Sequence, residues 1–326
     1  MSMRVSTLQM NNVGVSGIQR LQSNLYTLQN QVNTGRKIVS PQDDPIGAAQ
    51  ALLVNQSKSV NDLYVKNQQT ATTKLNTLDS TLRGVNEELS NIYDKVVAAG
   101  NGSYSDSERA SIATELSQRL NNLIGLANTQ DGTGRYVFSG VKSTTTPFSL
   151  SGNTASTTSP HYSVSGGNPY VVYNGDDGLQ KLQVGADQFV DTNIPGSEVF
   201  MRLRNDSGNV TGRSVFDSIQ NAIDFLKTPG VSASNTQYTT ALGDINAAMN
   251  TVSDARASVG ARLSSLDSMA NTSADRKLQY KEQLSNLQDL DYAEALTSVS
   301  QQKMQLEAAQ STYALTAKLS LFDYIS

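Results

Sequence analysis

The apolar residues in the C-terminal third of the chain follow a seven-residue repeat. Between residues 242 and 287 they keep a register of alternating three and four positions, interrupted only at Arg256, Ser273 and Lys277. The members of this register are Leu242, Ile245, Met249, Val252, Val259, Leu263, Leu266, Ala270, Tyr280, Leu284 and Leu287. A register of this length is typical of a helix that packs against other helices along its whole length.

Beyond Asp291 the pattern changes to two adjacent apolar stripes. The first stripe consists of Leu296, Val299, Leu306, Tyr313, Ala317, Leu321 and Tyr324, and the second consists of Met304, Ala308, Leu315, Leu319 and Phe322. Two adjacent stripes predict a last helix with a wide apolar face, which needs a partner.

The N-terminal region carries a narrower seam of heptad spacing. Its members are Ile18, Leu21, Leu25, Leu28 and Val32, and most residues between them are polar. Because an isolated helix of about 15 residues is marginal in water, we expect this segment to be disordered alone and to form a coiled-coil strand with a partner. The two terminal segments are each other's natural partners, since the 242–287 helix brings the chain back past the helix over 46–99.

Proline and capping signals place the remaining helices. Three long spans contain no proline, the strongest helix breaker: residues 1–40, 46–146 and 230–326. We predict a long helix from Pro45 to about Ala99. An antiparallel neighbour should start at a capping box formed by Ser105 and Glu108, and a third helix should start at Ser214.

A turn separates the N-terminal seam from the long helix. Ser40, with Pro41 next and Asp43 three residues on, fits a helix N-cap, and Asp44 before Pro45 offers a second cap. We interpret the Asp43–Asp44 pair as capping and compensation of the helix dipole. A two-carboxylate metal or acid–base site would need further acids or histidines nearby in the sequence, and there are none.

Between residues 144 and 200 the pattern favours short strands separated by turns. Strand-like pieces occur at Tyr170–Tyr173, Leu179–Val184 and Phe189–Val190. They predict a small outer β-rich domain. His161, the single histidine of the chain, has no partner pattern and is interpreted as a surface residue and not as a metal ligand.

Composition excludes several classes of function. Lys and Arg number 25 against 29 Asp and Glu, a net charge of −4, and the basic stripe of a nucleic-acid binder is missing. The chain has no cysteine, and no phosphate-loop, nucleophile-elbow or zinc-protease motif occurs. No stretch has the apolar length of a secretory signal core or a membrane span. We therefore predict no enzyme activity, no catalytic, cofactor or metal site, no nucleic-acid partner and no membrane insertion.

These patterns together predict a mainly α fold with an inserted β domain, in which long antiparallel helices form a rod between terminal coiled-coil helices. The predicted division is an N-terminal assembly helix over residues 1–40, disordered when monomeric, two halves of the helical core over 41–143 and 201–290, the outer β-rich domain over 144–200, and a C-terminal assembly helix over 291–326.

Several segments resemble the bacterial flagellins and hook-associated proteins. These are Gly35–Ile38 with Asp43–Ala48 (after the family's first helix), Gly134–Gly140 (the turn that leaves its helical core), Gln188–Phe189 with Ile194–Phe200 (the exit from the outer domain in hook-associated members), and Val259–Leu263 and Leu319–Tyr324 (its C-terminal core). They occur in the family's order and cover nearly the whole chain.

The resemblance implies a structural subunit of the flagellum, at the junction between a hook-side adaptor and the flagellin filament. The implied partners are further copies of the chain in a ring, the hook-side hook-associated protein 1, flagellin, and a flagellar export chaperone at the C-terminal region. The subunit would be exported unfolded, without a cleaved signal peptide, to the extracellular flagellum. Carried onto this sequence, polymerisation falls on Ile18, Leu21, Leu25, Leu28, Val32, Leu306, Tyr313, Leu315, Leu319, Leu321 and Phe322.

Three alternatives stay open. The chain could be flagellin, the filament subunit itself, although Pro41 stands where flagellins usually have small residues. The ending Phe322-Asp323-Tyr324 and the internal segment Ile194–Phe200 also argue against flagellin. The outer segment could additionally bind a host or another surface, and a free-standing helical bundle with frayed ends would fit the spacing alone.

Overall fold

A computed structural model describes residues 7–101, 104–151, 170–204, 208–230 and 236–325. Its helices are α1 (Thr7–Thr34), α2 (Pro45–Ala99), α3 (Asp106–Ala127), α4 (Val215–Lys227), α5 (Thr236–Gln288) and α6 (Tyr292–Ile325). Its strands are β1 (Phe148–Leu150), β2 (Val171–Tyr173), β3 (Lys181–Gln183) and β4 (Phe189–Asp191), and a π-helical turn spans Ser197–Met201. The predicted mainly α fold is confirmed. The long helix starts at Pro45, and a break near Asp291 separates α5 from α6.

The chain divides into two compact units. Unit 1 comprises residues 1–62 and 274–326, and unit 2 comprises residues 63–273. Unit 1 therefore holds α1, α6, the first turns of α2 and the last turns of α5. All the strands lie in unit 2.

Apolar heptad seams on the long helices form much of the core of unit 2. The fully buried seam of α2 is Ala71, Leu75, Leu78, Leu82, Val85, Leu89, Ile92 and Val96, and that of α3 is Ala113, Leu116, Leu120, Leu123 and Ala127. Ion pairs show that α3 runs antiparallel to α2, since Lys95 pairs with Glu115 and Glu88 with Arg119. The predicted antiparallel packing of these two helices is confirmed.

The part of α5 in unit 2 also runs antiparallel to α2. Arg256 pairs with Asp79 at 3.1 Å, and the Tyr238 hydroxyl donates to the Val96 carbonyl at 2.8 Å. The heptad interruption at Arg256 is thus an interhelical ion pair at the edge of the seam. A polar residue that interrupts a long seam can specify its pairing.

Capping boxes start two helices of this unit. Ser105 and Glu108 form the predicted box of α3, and Ser214 forms a second one with Asp217 at the start of α4. Just before α4, the guanidinium of Arg213 donates to both carboxylate oxygens of Asp244 on α5, at 2.5 and 2.9 Å. This bidentate pair, with Asp244 6 % exposed, fixes the start of α4 against α5.

The strands form two antiparallel pairs, β1 with β2 and β3 with β4. Pairs of three-residue strands are not stable alone, and their support comes from the helices. The side chain of Gln68 on α2 donates to the Val184 carbonyl at 2.8 Å, and Arg262 on α5 donates to the Asp191 carbonyl at 3.1 Å. The described part of the predicted outer domain therefore lies on the helical core. His161 lies outside the described residues.

Four phenylalanines join the turns of unit 2 to its helices. Phe138, Phe148, Phe200 and Phe216 are fully buried, with neighbouring ring centroids 5.2–5.5 Å apart. Phe138 belongs to the Gly134–Gly140 segment and Phe200 to the Ile194–Phe200 segment. Two of the segments that carry the family resemblance thus meet in one aromatic cluster.

Candidate assembly surface

The two terminal helices pack against each other in unit 1. The five predicted residues of α1, Ile18, Leu21, Leu25, Leu28 and Val32, are all partly buried. On α6, Leu306 and Tyr313 are partly buried as well. Partial burial of one stripe on each helix is the pattern expected for a two-helix seam. The structure therefore places seven of the predicted residues on the paired terminal helices.

The second stripe of α6 is open where the structure describes it. Leu315 is 64 % exposed and Met304 is 63 % exposed, and Ala308 is exposed too. The side chains of Leu319, Leu321 and Phe322 lie outside the described residues. We call Met304, Ala308 and Leu315 the open stripe.

One residue of the first stripe was assigned wrongly. Leu296 is 54 % exposed, whereas its neighbour Ala295 is 4 % exposed. Counted back from Val299, the seam steps four positions to Ala295 and not three positions to Leu296. Because Ala295 is small, apolarity alone favoured the larger Leu296.

The residues that follow α1 are hydrogen-bonded to the end of α5 and the link between α5 and α6. The Lys37 N–H donates to the Gln288 carbonyl at 2.7 Å, and the Leu290 N–H donates to the Gly35 carbonyl at 3.1 Å. Between them, Arg36 and Asp289 form an antiparallel bridge. Gly35 has φ of 68°, a left-handed conformation that favours glycine at a helix end. We call residues 35–37 with 288–290 the paired break.

The caps around the paired break correct one prediction and confirm another. Ser40 does not cap a helix, because Asp43 accepts from the Val39 and Ser40 N–H groups and closes a turn there. The cap of α2 is Asp44, whose carboxylate accepts from Ile46 N and Gly47 N at 3.1 and 2.9 Å. A helix that started at Ser40 would carry Pro45 in its interior, where proline has no N–H for an intrahelical bond and disfavours helical geometry at Asp44, so the helix starts at Pro45. The carboxylates of Asp43 and Asp44 both accept hydrogen bonds from backbone N–H groups, and Asp44 is the one that caps a helix.

Unit 1 exposes further apolar side chains besides the open stripe. On the first turns of α2, Ile46, Leu52 and Leu53 are 73 %, 68 % and 63 % exposed, and Tyr26 of α1 is 67 % exposed. Clustered exposed apolar residues mark interaction surfaces. They were not among the residues predicted for assembly, because their spacing in the sequence does not form a strict heptad.

The charges of the two terminal segments are opposite. Residues 1–42 contain four basic side chains and no acidic one, whereas residues 289–326 contain five acidic and two basic side chains. This distribution favours pairing of α1 with α6 and disfavours pairing of α1 with another α1.

Two residues of the pair escaped the sequence reasoning. Gly14 and Tyr292 lie at its ends, each in contact with the other helix or its break. Gly14 is four positions before Ile18 and so continues the heptad seam, but a glycine was not counted as apolar.

In the part of the chain that the structure describes, no three His, Asp or Glu residues form a metal-binding group. No helix there is long and apolar enough to cross a membrane.

Comparison with known proteins gives matches at both ends of the chain. Residues 5–143 match the bacterial flagellin N-terminal helical region, and residues 242–325 match the bacterial flagellin C-terminal helical region.

Full-length relatives and solved structures agree with these matches. Flagellar hook-associated protein 3 of Salmonella typhimurium is 31 % identical over 332 residues, covering 98 % of this chain and 99 % of the relative. A solved structure described as flagellar hook-associated, from Vibrio parahaemolyticus, aligns with a TM-score of 0.65 at 23 % identity, covering 76 % of this chain and 100 % of that one. The flagellar junction protein of Legionella pneumophila aligns at 0.59 and 21 % identity, covering 74 % and 100 %. The chain therefore belongs to the family of flagellar hook-associated protein 3.

Proposed function

We propose that this chain is a structural subunit of the bacterial flagellum, located at the junction between a hook-side adaptor and the flagellin filament. The observation that carries the proposal is the pair of terminal helices with an open apolar stripe beside it. The family relationship supports the flagellar location, and the solved relative named as a junction protein supports the position within the flagellum.

One apolar face of the helix pair is partly buried between α1 and α6, and a second apolar face, on α6, is exposed. The seam that includes Leu21, Leu28 and Leu306 is partly buried within the chain, whereas Met304 and Leu315 remain about two-thirds exposed. Subunits that form rings or filaments need apolar surface that the folded chain leaves free. We assign polymerisation to the open stripe and its continuation over Leu319–Phe322, and positioning of that stripe to the seam residues.

The proposed partners are copies of this chain in a ring, hook-associated protein 1, flagellin, and an export chaperone that would cover the C-terminal region. The exposed apolar residues of α6 support a chaperone there, because such a surface is a liability before assembly. Export without a cleaved signal to the extracellular flagellum belongs to the same proposal. So does the division into assembly helices over 1–40 and 291–326, helical core over 41–143 and 201–290, and outer domain over 144–200.

A truncation tests the assembly role. Removal of residues 300–326 is expected to leave unit 2 folded, because the buried residues of its core lie between Ala71 and Leu266. It should abolish incorporation into the flagellum, measured by electron microscopy and swimming assays in a strain lacking the native protein. Normal filaments assembled with the truncated chain would contradict the proposal.

A single substitution on the open stripe provides a second test of the assembly role. Leu315→Asp places a charge on the open stripe without removing a buried side chain, and it should reduce incorporation. The matched control is Val141→Asp, since Val141 is 59 % exposed in unit 2 and is not assigned to assembly. Equal swimming rates of the two variants would exclude the open stripe as the assembly surface.

The filament subunit itself is the second candidate, favoured by the matches to flagellin end regions. Deletion separates the two. A strain lacking a junction subunit should make bare hooks and release flagellin into the medium, where immunoblotting detects it. A strain lacking its filament subunit should release none.

A further inference from the structure

Two tyrosines of α6 contact two glycines of the N-terminal segment. A methyl group added at Gly14 would lie 2.7 Å from Cδ2 and 3.1 Å from Cε2 of Tyr313, so this ring rests directly on the backbone of α1. A methyl group added at Gly35 would lie 2.8 Å from the hydroxyl oxygen of Tyr292. The contact at Gly14 requires the absence of a side chain, because it is made by the ring of Tyr313. Glycine at position 35 is favoured in addition by its φ of 68°.

The spacing of these contacts is the same on both helices. Gly14 and Gly35 are 21 residues apart, and Tyr292 and Tyr313 are also 21 residues apart, in the opposite order. That spacing is three heptads of a coiled coil. One antiparallel register satisfies both contacts. It sets Leu21 opposite Leu306, Leu28 opposite Val299, and Val32 opposite Ala295.

Burial along α6 agrees with this register. Going up from Ala295, the residues at alternating steps of four and three are Val299, Gln302, Leu306, Ala309, Tyr313 and Thr316, and all six are partly buried. They face the α1 residues that follow the same alternating steps, from Gly14 to Val32.

The apolar pattern alone specifies the register poorly. Four of the α6 seam positions are small or polar, namely Ala295, Gln302, Ala309 and Thr316. A slip of one heptad would still place Leu21 against an apolar residue, Val299 or Tyr313. Where shifted registers also pair apolar residues, the apolar seam specifies the register only weakly. A contact that depends on shape is then needed to exclude the shifted registers.

We propose that Tyr313 on Gly14, together with Tyr292 on Gly35, fixes the register of α1 against α6 and makes the two terminal helices pair within one chain. Tyr313 and Gly14 are thus positioning residues for assembly, and this consequence rests on the proposed function. A slip of one heptad would displace the open stripe along the pair by about 10 Å, and the stripe would no longer meet its site on a neighbour.

Gly17 shows that a glycine in α1 need not have this role. A methyl group added at Gly17 would meet no described heavy atom within 4 Å. Because alanine is the better helix former, Gly17→Ala should leave the pairing intact or strengthen it. Gly14→Ala changes the same atoms in the same helix but places the methyl group against Tyr313. The two substitutions form a matched pair.

Disulfide trapping in the full chain reads the register, because the chain has no cysteine of its own. Leu21→Cys with Leu306→Cys tests the proposed register, and Leu21→Cys with Val299→Cys tests a slip of one heptad. The first pair should cross-link within one chain about tenfold faster than the second, because a disulfide requires Cα atoms within roughly 7 Å. Equal rates would overturn the proposal. So would cross-links formed mainly between two differently tagged chains.

Substitution then tests the positioning residues. Gly14→Ala should lower the preference for the first cysteine pair by about tenfold, and Gly17→Ala should not lower it. In a Tyr313→Leu background, where the ring is absent, Gly14→Ala should have little further effect, since contacting residues couple. An equal effect of Gly14→Ala in both backgrounds, or no effect in either, would overturn the role of Tyr313.

These outcomes are independent of the assembly role. If the preference holds in the isolated chain but Leu315→Asp assembles normally, the proposed function fails while the register stands. If Leu315→Asp blocks assembly but the two cysteine pairs cross-link equally, the register fails while the proposed function stands.

Discussion

Gly196 joins two of the segments of unit 2 that carry the family resemblance, Gly134–Gly140 and Ile194–Phe200. Its N–H donates to the Phe138 carbonyl at 2.9 Å. A methyl group at this position would lie 2.6 Å from Cζ of Phe148 and 2.9 Å from the Phe138 carbonyl oxygen. A flexible side-chain end could move away, but the backbone carbonyl and a fully buried ring leave little room.

We expect Gly196→Ala to destabilise unit 2 by about 1–3 kcal/mol, the usual cost of overpacking a closely packed core. Urea unfolding followed by circular dichroism measures the change. The control is Gly243→Ala in α5, where a methyl group would meet no described heavy atom within 4 Å. That control should stabilise the chain by about 0.5–1 kcal/mol, and a loss of stability equal to that of Gly196→Ala would contradict the contact-based explanation.

At the scale of an element, α6 depends on the cap at its start. The Asp291 carboxylate accepts from Ala293 N at 2.9 Å and from Glu294 N at 3.2 Å. These are two of the N–H groups that a helix start leaves without an intrahelical acceptor. The cap also places α6 immediately after the paired break, so it supports the first seam residue, Ala295.

Asp291→Ala should weaken the first turns of α6 by about 1 kcal/mol. The measurement is amide hydrogen exchange, which should become about fivefold faster over residues 293–300 if those turns open locally. Glu294→Ala is the control, because Glu294 is exposed in the same turn and does not cap it. Equal acceleration in both variants would mean that Asp291 acts through its charge alone.

Local signals made most of the elements predictable. The start of α2 at Pro45 and the Ser105–Glu108 box each follow from two to four adjacent residues, and the break near Asp291 follows from the change in apolar spacing there. The structure shows all three. The buried seams of α2 and α5 followed from their period, because a heptad repeat is a property of one helix.

Contacts between distant segments were not predictable in the same way. Nothing in the sequence near Gly35 shows that its carbonyl accepts from Leu290, and Gly14 carries no apolar side chain that would identify it as a seam residue. The aromatic cluster of Phe138, Phe148, Phe200 and Phe216 likewise joins four distant segments, and no local sequence pattern shows that these rings meet. The local pattern at Ser40 fits a helix cap, but a helix from Ser40 would contain Pro45, and the structure has the cap at Asp44.

At the scale of the whole molecule, burial differs strongly between the units. The core cluster of fully or nearly fully buried apolar residues runs from Ala71 to Leu266 and lies entirely in unit 2. In the described part of unit 1, the buried apolar residues are Ile38, Ala51 and Ala295. Local stability follows such differences in buried apolar contacts.

Hydrogen exchange and limited proteolysis of the isolated chain should therefore show a protected core in the described parts of residues 63–273. Amides of α1 and α6 should exchange faster than those of α3 by a hundredfold or more, corresponding to at least about 2.7 kcal/mol of local stability. Protection of α6 equal to that of α3 would show that the terminal pair is as stable as the core.

The carboxylates give the molecule a one-sided response to pH. Backbone N–H groups of Val141 and Gly178 hold the pKa of Asp176 below its ordinary value, and the Ser105 N–H does the same to the pKa of Glu108. The pKa is also lowered at Asp62, Asp106, Glu115, Asp131 and Asp177. A lowered folded-state pKa stabilises the fold above the unfolded value, near 4.

Stability should therefore change little between pH 8 and 5, where the chain has a single histidine, and should fall as the pH drops below about 4. Urea midpoints measured from pH 8 to pH 2.5 test this. In Asp176→Asn the acid-dependent loss should be smaller, since one of the protonating groups is gone. Rising stability between pH 5 and 3 would have the wrong sign.

The contact between α1 and α6 joins positions almost 300 residues apart, with Gly14 against Tyr313. The helix pair of α2 and α3 can form as soon as about 130 residues are available, whereas α1 has to wait for the last segment of the chain. Such a long closure is slow compared with local helix pairing. In the proposed export through a narrow passage, the first segment would stay unpaired until the last segment had been delivered, and a molecule that stalled or broke on the way would never complete its terminal pair. Timing alone would then keep partial chains out of the growing structure.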